Sequence, residues 1–228
     1  MNYTIIFLGT ILVVLIMYML FQSYFDGKQS LVSQTKLDKM SQIDADKVSK
    51  PNASIFSYGI WVHIGQWKNN GNGDGDDQTL FERDTELEVY FTSKAELKIK
   101  TLQDSSGNWS DIVVTSNFPI QKWVHIGIVV DNKIMDVYLD GKMVKSVQLQ
   151  ETISPEDNKI TYGSASAIAS DTHIAEHKRI TYALDPKGMW DLYMEGNGMN
   201  GLLQAAGDMN VNLSILKDGV ESSTYNLF

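Results

Sequence analysis

Residues 123–148, WVHIGIVVDNKIMDVYLDGKMVKSVQ, contain three apolar or alternating runs separated by two short polar turns. The runs lie at residues 123–130, 134–139 and 142–148, and each predicts a β-strand. Asp140-Gly141 is a strong signal for a two-residue hairpin, because glycine tolerates the positive φ of a type I′ turn. This stretch is therefore predicted to form a three-stranded antiparallel meander.

Upstream and downstream of the meander, short β-branched and aromatic runs are broken by turn residues. This pattern is typical of an all-β sandwich or barrel. One predicted strand, residues 57–65, contains the pentapeptide WVHIG at 61–65, which recurs at 123–127. We interpret the repeat as two central strands that bury a tryptophan in similar surroundings. Residues 78–82 and 86–91 are predicted to form a hairpin.

One short helix is predicted in the C-terminal half, beginning at Pro186. Asp185 is a suitable N-cap, proline is well tolerated at the first helical position, and Gly196 can end the helix in the left-handed conformation. The tail from residue 211 onward predicts a hairpin, which we expect to close the sheet against an N-terminal strand.

The first 25 residues carry no charged side chain, and residues 3–21 (YTIIFLGTILVVLIMYMLF) are strongly apolar. As a helix, residues 3–21 would be roughly 28 Å long, about the thickness of the hydrocarbon core of a bilayer. We therefore predict a transmembrane anchor within residues 1–25. A cleaved signal peptide is the alternative, but the basic n-region and the small-residue cleavage site are missing and the apolar core is too long.

Residues 26–50 are predicted to be a polar tether, with a first edge strand within 40–48 as an option, and residues 51–228 are predicted to form one domain. Basic residues near a membrane span tend to stay in the cytosol. The prediction is therefore a single-pass membrane protein whose C-terminal domain lies on the cytosolic side. The basic residues behind this orientation are Lys28, Lys36, Lys39, Lys47 and Lys50.

The composition excludes several classes of protein. The 228 residues include no cysteine, which excludes disulfides, thiol nucleophiles and cysteine-based metal centres. Lysine and arginine number 19 against 28 aspartates and glutamates, a net charge of -9. A nucleic-acid partner is not expected, because binding to phosphates needs a positive surface.

Residues 118–145, FPIQKWVHIGIVVDNKIMDVYLDGKMVK, resemble the signature of laminin-G-like domains of the concanavalin A-like lectin/glucanase superfamily. The shared features are a tryptophan, a histidine two positions on, an apolar strand, a short turn and a strand that ends in Asp-Gly-Lys. The resemblance, over roughly residues 50–228, implies a two-sheet antiparallel jelly-roll sandwich. The layout of the chain is also similar to that of membrane-anchored structural proteins of large DNA viruses that carry this domain.

The loop at residues 69–77, NNGNGDGDD, is a candidate calcium site. Oxygen ligands at alternate positions between glycines suit a calcium turn, although Phe81 falls where an EF-hand has its bidentate glutamate. Some laminin-G-like domains bind calcium at a rim of the sandwich, and a flexible hairpin loop is the alternative. Ca²⁺ is the one cofactor considered, and its candidate ligands are Asp74, Asp76 and Asp77.

The tryptophans divide into two groups. Trp67 and Trp109 adjoin polar loops and are candidates for stacking on a sugar. The other three tryptophans, Trp61, Trp123 and Trp190, are expected in the core. His63 and His125 are expected beside Trp61 and Trp123, respectively.

Two segments carry acidic or histidine patterns that occur in enzymes. Residues 82–86, ERDTE, imitate the E-x-D-x-E strand of retaining glucanases, but the hairpin is expected to turn at Asp84 and Thr85, which would misalign the acids. His173 and His177 have the spacing of a helical metal pair, yet the segment predicts a loop or strand and offers no third ligand. We therefore predict that the protein is not an enzyme.

Two functions remain open. The first is a structural or interaction protein, a minor virion protein in a large DNA virus, that contacts the bilayer through residues 3–21 and binds neighbours such as capsid proteins. The second is a membrane-anchored lectin that binds glycans, with or without calcium.

Overall fold

Two six-stranded sheets form the body of the protein. A computed structural model describes residues 3–25, 27–68, 77–83, 87–102, 108–153, 159–163, 171–198, 212–217 and 220–226. Within these ranges the α-helices are α1 (Tyr3–Phe25) and α2 (Pro186–Met194). The strands are β1 (Lys28–Lys36), β2 (Ser41–Ile43), β3 (Ile55–Ile64), β4 (Gln78–Arg83), β5 (Leu87–Phe91), β6 (Leu97–Leu102), β7 (Trp109–Thr115), β8 (Trp123–Asp131), β9 (Ile134–Leu139), β10 (Lys142–Gln148), β11 (Ile160–Tyr162), β12 (Thr172–Ile180), β13 (Asn212–Lys217) and β14 (Val220–Asn226).

The first sheet has the strand order β1-β12-β3-β8-β9-β10, and the second has the order β2-β11-β4-β5-β6-β7. Every neighbouring pair in both sheets is antiparallel. The predicted all-β antiparallel sandwich is therefore confirmed, and so is the β8-β9-β10 meander. Between β9 and β10, Asp140 and Gly141 have φ values of 48° and 73°, as a type I′ turn requires.

The two WVHIG segments lie side by side at the centre of the first sheet. β3 and β8 run antiparallel in a register that places Trp61 opposite His125 and His63 opposite Trp123. The ring centroids are 5.2 Å apart in the first pair and 5.4 Å apart in the second. The prediction of two central strands is confirmed, and the repeat generates the same cross-strand contact twice.

α2 packs on the outer face of the first sheet, over two glycines that leave room for it. Gly59 and Gly127 are opposite each other in β3 and β8. A Cβ at Gly59 would lie 2.5 Å from Leu192, and a Cβ at Gly127 would lie 2.3 Å from Met189. Leu192 and Met189 are both buried. The helix can approach this closely only because both positions lack a side chain.

The ends of α2 follow the sequence prediction. The Asp185 carboxylate accepts a hydrogen bond from the Gly188 amide, Pro186 is the first helical residue, and Gly196 has a φ of 79°. The expected core position of Trp190 is wrong, because this side chain is 41% exposed. The side of α2 that faces the sheet is occupied by Met189 and Leu192 instead.

Strands occupy part of the segment predicted as a tether, residues 26–50. β1 pairs with β12 along the edge of the first sheet, and β2 pairs with β11 at the edge of the second. β2 lies within the stretch considered for a first edge strand. An edge strand is stabilised by backbone hydrogen bonds to its neighbour, so β1 needs no strong apolar pattern of its own.

The position of the C-terminal hairpin differs from its prediction. β13 and β14 pair with each other, as predicted, but they form a separate two-stranded sheet in the described part of the chain. The edge partner of the N-terminal strand β1 is β12. The sequence pattern predicts the two strands of the tail, but it does not specify which strands lie beside each other in a sheet. The expected pairing of the tail with an N-terminal strand is therefore wrong.

Two buried arginines from opposite sheets meet between the sheets. Arg83 and Arg179 are 1% and 0% exposed. Both donate to the Tyr58 hydroxyl, over 3.1 Å and 2.8 Å, and both also donate to carbonyl oxygens of residues 49–51. Burial lowers the pKa of Arg179. Hydroxyl and carbonyl oxygens therefore accept hydrogen bonds from both guanidinium groups and fasten the chain before β3 to both sheets. The buried Nε of Arg83 has no hydrogen-bond partner among the described residues.

α1 is 23 residues long and covers the whole stretch predicted as an anchor, residues 3–21. Within the part of the chain whose side chains are described, which in α1 comprises Phe7 and residues 9–19, no helix is long and apolar enough to cross a membrane.

Candidate binding face on the second sheet

The side chains that point outward from the second sheet are mostly polar or charged. Val89 and Phe91 of β5 lie in the core. Glu88 and Tyr90 therefore point outward, because side chains alternate along a strand. Residues that are paired with Glu88 and Tyr90 on neighbouring strands, and those paired with them in turn, point to the same side of the sheet. We call this set of outward-pointing side chains the outward face. It includes Thr79, Glu82, Glu88, Tyr90, Lys98, Lys100, Trp109, Asp111 and Val113.

A cavity of about 380 Å³ opens on the outward face at the end of β5. Its walls carry charges of both signs together with hydroxyl groups, which suits a ligand that offers both hydrogen-bond donors and acceptors. The lining residues are Asp77, Tyr90, Thr92, Ser93, Lys94, Glu96, Lys98 and Asp111.

Tyr90 forms the floor of this cavity and is only 4% exposed. Its hydroxyl is hydrogen-bonded to the Asp111 carboxylate. Burial raises the pKa of Tyr90 well above its usual value, and the negative charge of Asp111 adds to this effect. The phenol therefore stays protonated and can donate to the Asp111 carboxylate.

The turn between β5 and β6 forms one wall of the cavity and is held from the core side by Trp67. The Trp67 Nε1–H donates to the Ser93 carbonyl over 3.1 Å, and its ring packs edge-on against Phe91 with centroids 5.9 Å apart. Within the turn, the Thr92 amide donates to the Glu96 carbonyl over 3.0 Å. Trp67 is partly buried against the core and so positions the cavity wall from behind.

Trp109, the second candidate for sugar stacking, lies on the outward face itself and is 37% exposed. The Lys100 ammonium group is 5.3 Å from the centre of its ring, and the same group is 3.9 Å from a Glu88 carboxylate oxygen. Trp67 and Trp109 are thus on opposite sides of the second sheet and cannot form one platform. Sugar stacking stays a prediction for both residues, and the geometry favours Trp109.

Of the three candidate calcium ligands, one lies within the described residues and two do not. Asp74 and Asp76 lie outside them, and Asp77 lines the cavity. Within the described ranges, no group of three or more histidine, aspartate or glutamate side chains could hold a metal ion. Calcium binding at Asp74, Asp76 and Asp77 stays a prediction.

The two patterns reminiscent of enzymes do not come together in the described residues. Glu82 lies on β4, opposite Glu88 of β5, and Glu86 is outside the described residues. His177 is fully buried, with its Nδ1 2.6 Å from the Tyr162 hydroxyl. His173 is partly exposed on the other face of the first sheet, with its ring centroid 6.3 Å from that of His63.

Burial lowers the pKa of His177 to about 3, and the charge of Arg179 adds to this effect. His177 is therefore neutral at physiological pH. It packs against Phe81 with ring centroids 4.7 Å apart. These contacts identify His177 as a core residue of the sandwich.

Sequence reasoning missed the main residues of the cavity, Tyr90, Lys98 and Asp111. Each of them stands at an outward position in the alternation of β5, β6 or β7, which is a signal that the sequence does contain. Their meeting at one place depends on the lateral order of these strands, which local patterns do not specify.

Solved structures with a similar fold are binding domains of botulinum neurotoxins. The serotype D binding domain is 12% identical with a TM-score of 0.58, over 72% of this chain and 43% of that chain. The serotype D ligand-binding domain in complex with N-acetylneuraminic acid is 14% identical with a TM-score of 0.57, over 75% and 44%. The serotype DC binding domain in complex with rat synaptotagmin II is 17% identical with a TM-score of 0.54, over 74% and 46%.

This chain spans less than half the length of those binding-domain chains. At these identities the likeness concerns the fold alone. No curated protein sequence matches the chain.

A family model does match, over residues 38–175. The match begins inside the segment predicted as a tether and ends within β12, before α2. It therefore starts earlier and stops earlier than the resemblance over roughly residues 50–228 suggested. Because it covers more than half of the 228 residues, the chain belongs to the laminin-G family of the concanavalin A-like lectin/glucanases superfamily.

Proposed function

We propose that this protein is a non-enzymatic binding protein that is anchored in a membrane by α1 and recruits a protein neighbour through the second sheet. The observation that carries the proposal is the cavity on the outward face. Its lining combines carboxylate and ammonium groups with the Tyr90 phenol, which is hydrogen-bonded to Asp111.

The charges of the cavity favour a protein surface as the partner. Lys94 and Lys98 line the same cavity as Asp77, Glu96 and Asp111, so the cavity offers both hydrogen-bond donors and acceptors. A protein surface presents both signs of charge, and complementary charges favour specific association. A structural neighbour supports the use of this fold for protein recognition, since that neurotoxin domain is in complex with synaptotagmin.

The membrane anchor is proposed from the sequence and the secondary structure together. Residues 3–21 carry no charge, and they lie within a continuous helix of 23 residues. At 1.5 Å per residue, a helix of this length measures about 34 Å, enough to cross a hydrocarbon core. The lysines that follow it favour a cytosolic position for the sandwich.

A role as a minor virion protein of a large DNA virus is the most specific form of this proposal. It is supported by the layout of the chain, an N-terminal anchor followed by one laminin-G domain. Mass spectrometry of purified particles tests it, with the chain expected in particles that retain their internal membrane. Absence of the chain from such particles would overturn the viral role and leave the binding role intact.

Site-specific photo-crosslinking tests the binding role. A benzophenone amino acid replaces Lys98 on the outward face in one variant and Lys145, on the exposed edge strand β10, in the control. Irradiation of native membranes is expected to give a discrete protein adduct from position 98 and none from position 145. Adducts from both positions alike, or from neither, would overturn the assignment of the second sheet.

Glycan binding is the second candidate, and the exposed ring of Trp109 beside Asp111 favours it. The full chain in detergent would then bind members of a glycan array, and Trp109→Ala would abolish the signal. Trp190→Ala is the control, because Trp190 is similarly exposed on α2, which covers the first sheet. Loss of the signal with a chelator would point to calcium at Asp74, Asp76 and Asp77.

A further inference from the structure

We propose that the sandwich lies against the bilayer that α1 enters, with the outward side of α2 in contact with the lipid interface. This surface, which we call the α2 surface, comprises Tyr182, Trp190 and Met194. The proposal rests on the proposed membrane anchor and adds a second contact with the same membrane.

The chain leaves α1 and enters the sandwich almost at once. Only Asp26 and Gly27 separate Phe25 from Lys28, the first residue of β1. Three Cα–Cα steps span at most about 11 Å. The start of β1 must therefore lie at the membrane surface if α1 is embedded.

The entry point is packed against one part of the α2 surface. The Thr181 amide donates to the Gly27 carbonyl over 3.1 Å. A Cβ on Gly27 would lie only 3.3 Å from the Tyr182 ring. Tyr182, which is 42% exposed, is thus adjacent to Gly27, two residues after the end of α1.

The C-terminal end of α2 is fastened to the same place. Lys28 and Lys178 each form an ion pair of 2.9 Å with Glu195, the residue that follows α2. Met194, the last residue of the helix, is 63% exposed, and Trp190 is 41% exposed. These two side chains are four residues apart, so they share one side of α2.

The chemistry of the α2 surface suits the interfacial region of a bilayer. Tryptophan and tyrosine prefer this region because they combine an apolar ring with one polar group. The two charged residues on the exposed side of α2, Lys187 and Asp191, pair with each other at 2.5 Å. With no net charge on this side of the helix, contact with zwitterionic lipid is expected, without a requirement for anionic lipid.

Fluorescence quenching by lipid tests the contact in the full chain. The protein is reconstituted into phosphatidylcholine bilayers whose acyl chains carry bromine near the headgroup. α1 contains no tryptophan, so the anchor itself gives no signal. Bromine is expected to quench the wild-type fluorescence, and Trp190→Phe is expected to lose most of that quenching.

Trp109→Phe is the matched control, because Trp109 is similarly exposed on the opposite sheet, and it should leave the quenching unchanged. A second readout uses the absence of native cysteine. A spin label on Met194→Cys should be shielded from a water-soluble paramagnetic reagent when lipid is present, whereas one on Val113→Cys, on the outward face of the second sheet, should not. Equal quenching in wild type and Trp190→Phe, or equal accessibility of both labels, would overturn the contact.

Vesicle flotation after alkaline extraction separates the failure of this proposal from the failure of the anchor. A chain that does not float refutes the anchor and, with it, the α2 contact. A chain that floats but shows no quenching at Trp190 keeps the anchor and refutes the α2 contact alone.

Discussion

Replacing Tyr58 with phenylalanine would remove one oxygen atom on which two buried guanidinium groups converge. Arg83 and Arg179 both donate to this hydroxyl, and each keeps hydrogen bonds to backbone carbonyls when it is gone. The phenylalanine ring would keep the contacts of Tyr58 with Phe56 and Phe81, whose centroids are 5.3 Å and 5.6 Å away. The change therefore isolates the hydroxyl group.

The expected cost follows from the two lost hydrogen bonds. A hydrogen bond to a charged group contributes about 1.5–3 kcal/mol, and an unsatisfied buried donor is costly. Two bonds at the lower end of this range give a loss of about 3 kcal/mol in the free energy of unfolding. The retained carbonyl partners are the reason for taking the lower end.

Urea unfolding of the full chain in detergent, followed by tryptophan fluorescence, measures this loss. Tyr58→Phe should lower the midpoint and leave the slope of the free energy against urea unchanged. Tyr182→Phe is the control, because that ring is 42% exposed, and it should change stability by less than about 0.5 kcal/mol. If Tyr58→Phe were as mild as this control, the buried arginines would not depend on the hydroxyl and the reasoning would be refuted.

Three further predictions concern α2 and the buried histidines. Asp185→Ala removes the N-cap of α2 and should cost about 1 kcal/mol in thermal unfolding, whereas Asp185→Asn should cost less. Gly127→Val places atoms where Met189 packs and should cost about 1–3 kcal/mol. Adding Met189→Ala should recover part of that loss, and a strictly additive double variant would contradict the close approach. Burial lowers the pKa of His125 to about 4 and that of His177 to about 3, whereas an unfolded histidine titrates near 6.5. The unfolded chain therefore binds more protons below about pH 6.5, and stability should fall with decreasing pH by up to about 1.4 kcal/mol per unit for each histidine. Urea melts between about pH 6.5 and 5 should show this slope, and His125→Gln should reduce it.

Local signals made the meander and the second helix predictable. Strands β8, β9 and β10 each have a strong apolar pattern, and Asp140-Gly141 adopts the turn that its residue types favour. α2 is bounded by residues whose capping chemistry acts over three or four positions. Such signals are contained within short windows of sequence, so tertiary context does not need to be known.

Features that depend on long-range pairing were not predictable in the same way. β1 (KQSLVSQTK) has few apolar residues, and it becomes a strand through its pairing with β12, more than 130 residues away. The buried positions of Arg83 and Arg179 depend on Tyr58 and on carbonyl groups of a distant segment. The position of Trp190 depends on which face of α2 meets the two glycines.

The cavity illustrates the same limit at the candidate site. Tyr90 and Asp111 lie on β5 and β7, and their hydrogen bond forms across β6, which lies between the two strands. The alternation of polar and apolar residues along each strand specifies neither the order of these strands nor the position of the β5–β6 turn, which is hydrogen-bonded to Trp67. The candidate tryptophans were selected by their polar neighbours in sequence, and the structure separates them onto opposite sides of one sheet.

Hydroxyl-radical footprinting in native membranes tests the central claim, that the second sheet is the binding face, most directly. It compares two pairs of side chains with similar exposure in the isolated chain: Trp109 and Val113, at 37% and 45%, and Met143 and Val144, at 47% and 44%. Relative to the purified chain in detergent, oxidation of Trp109 and Val113 should fall several-fold in native membranes, while that of Met143 and Val144 should not change. Equal oxidation of the first pair in both preparations, or protection of the β10 pair instead, would contradict the account.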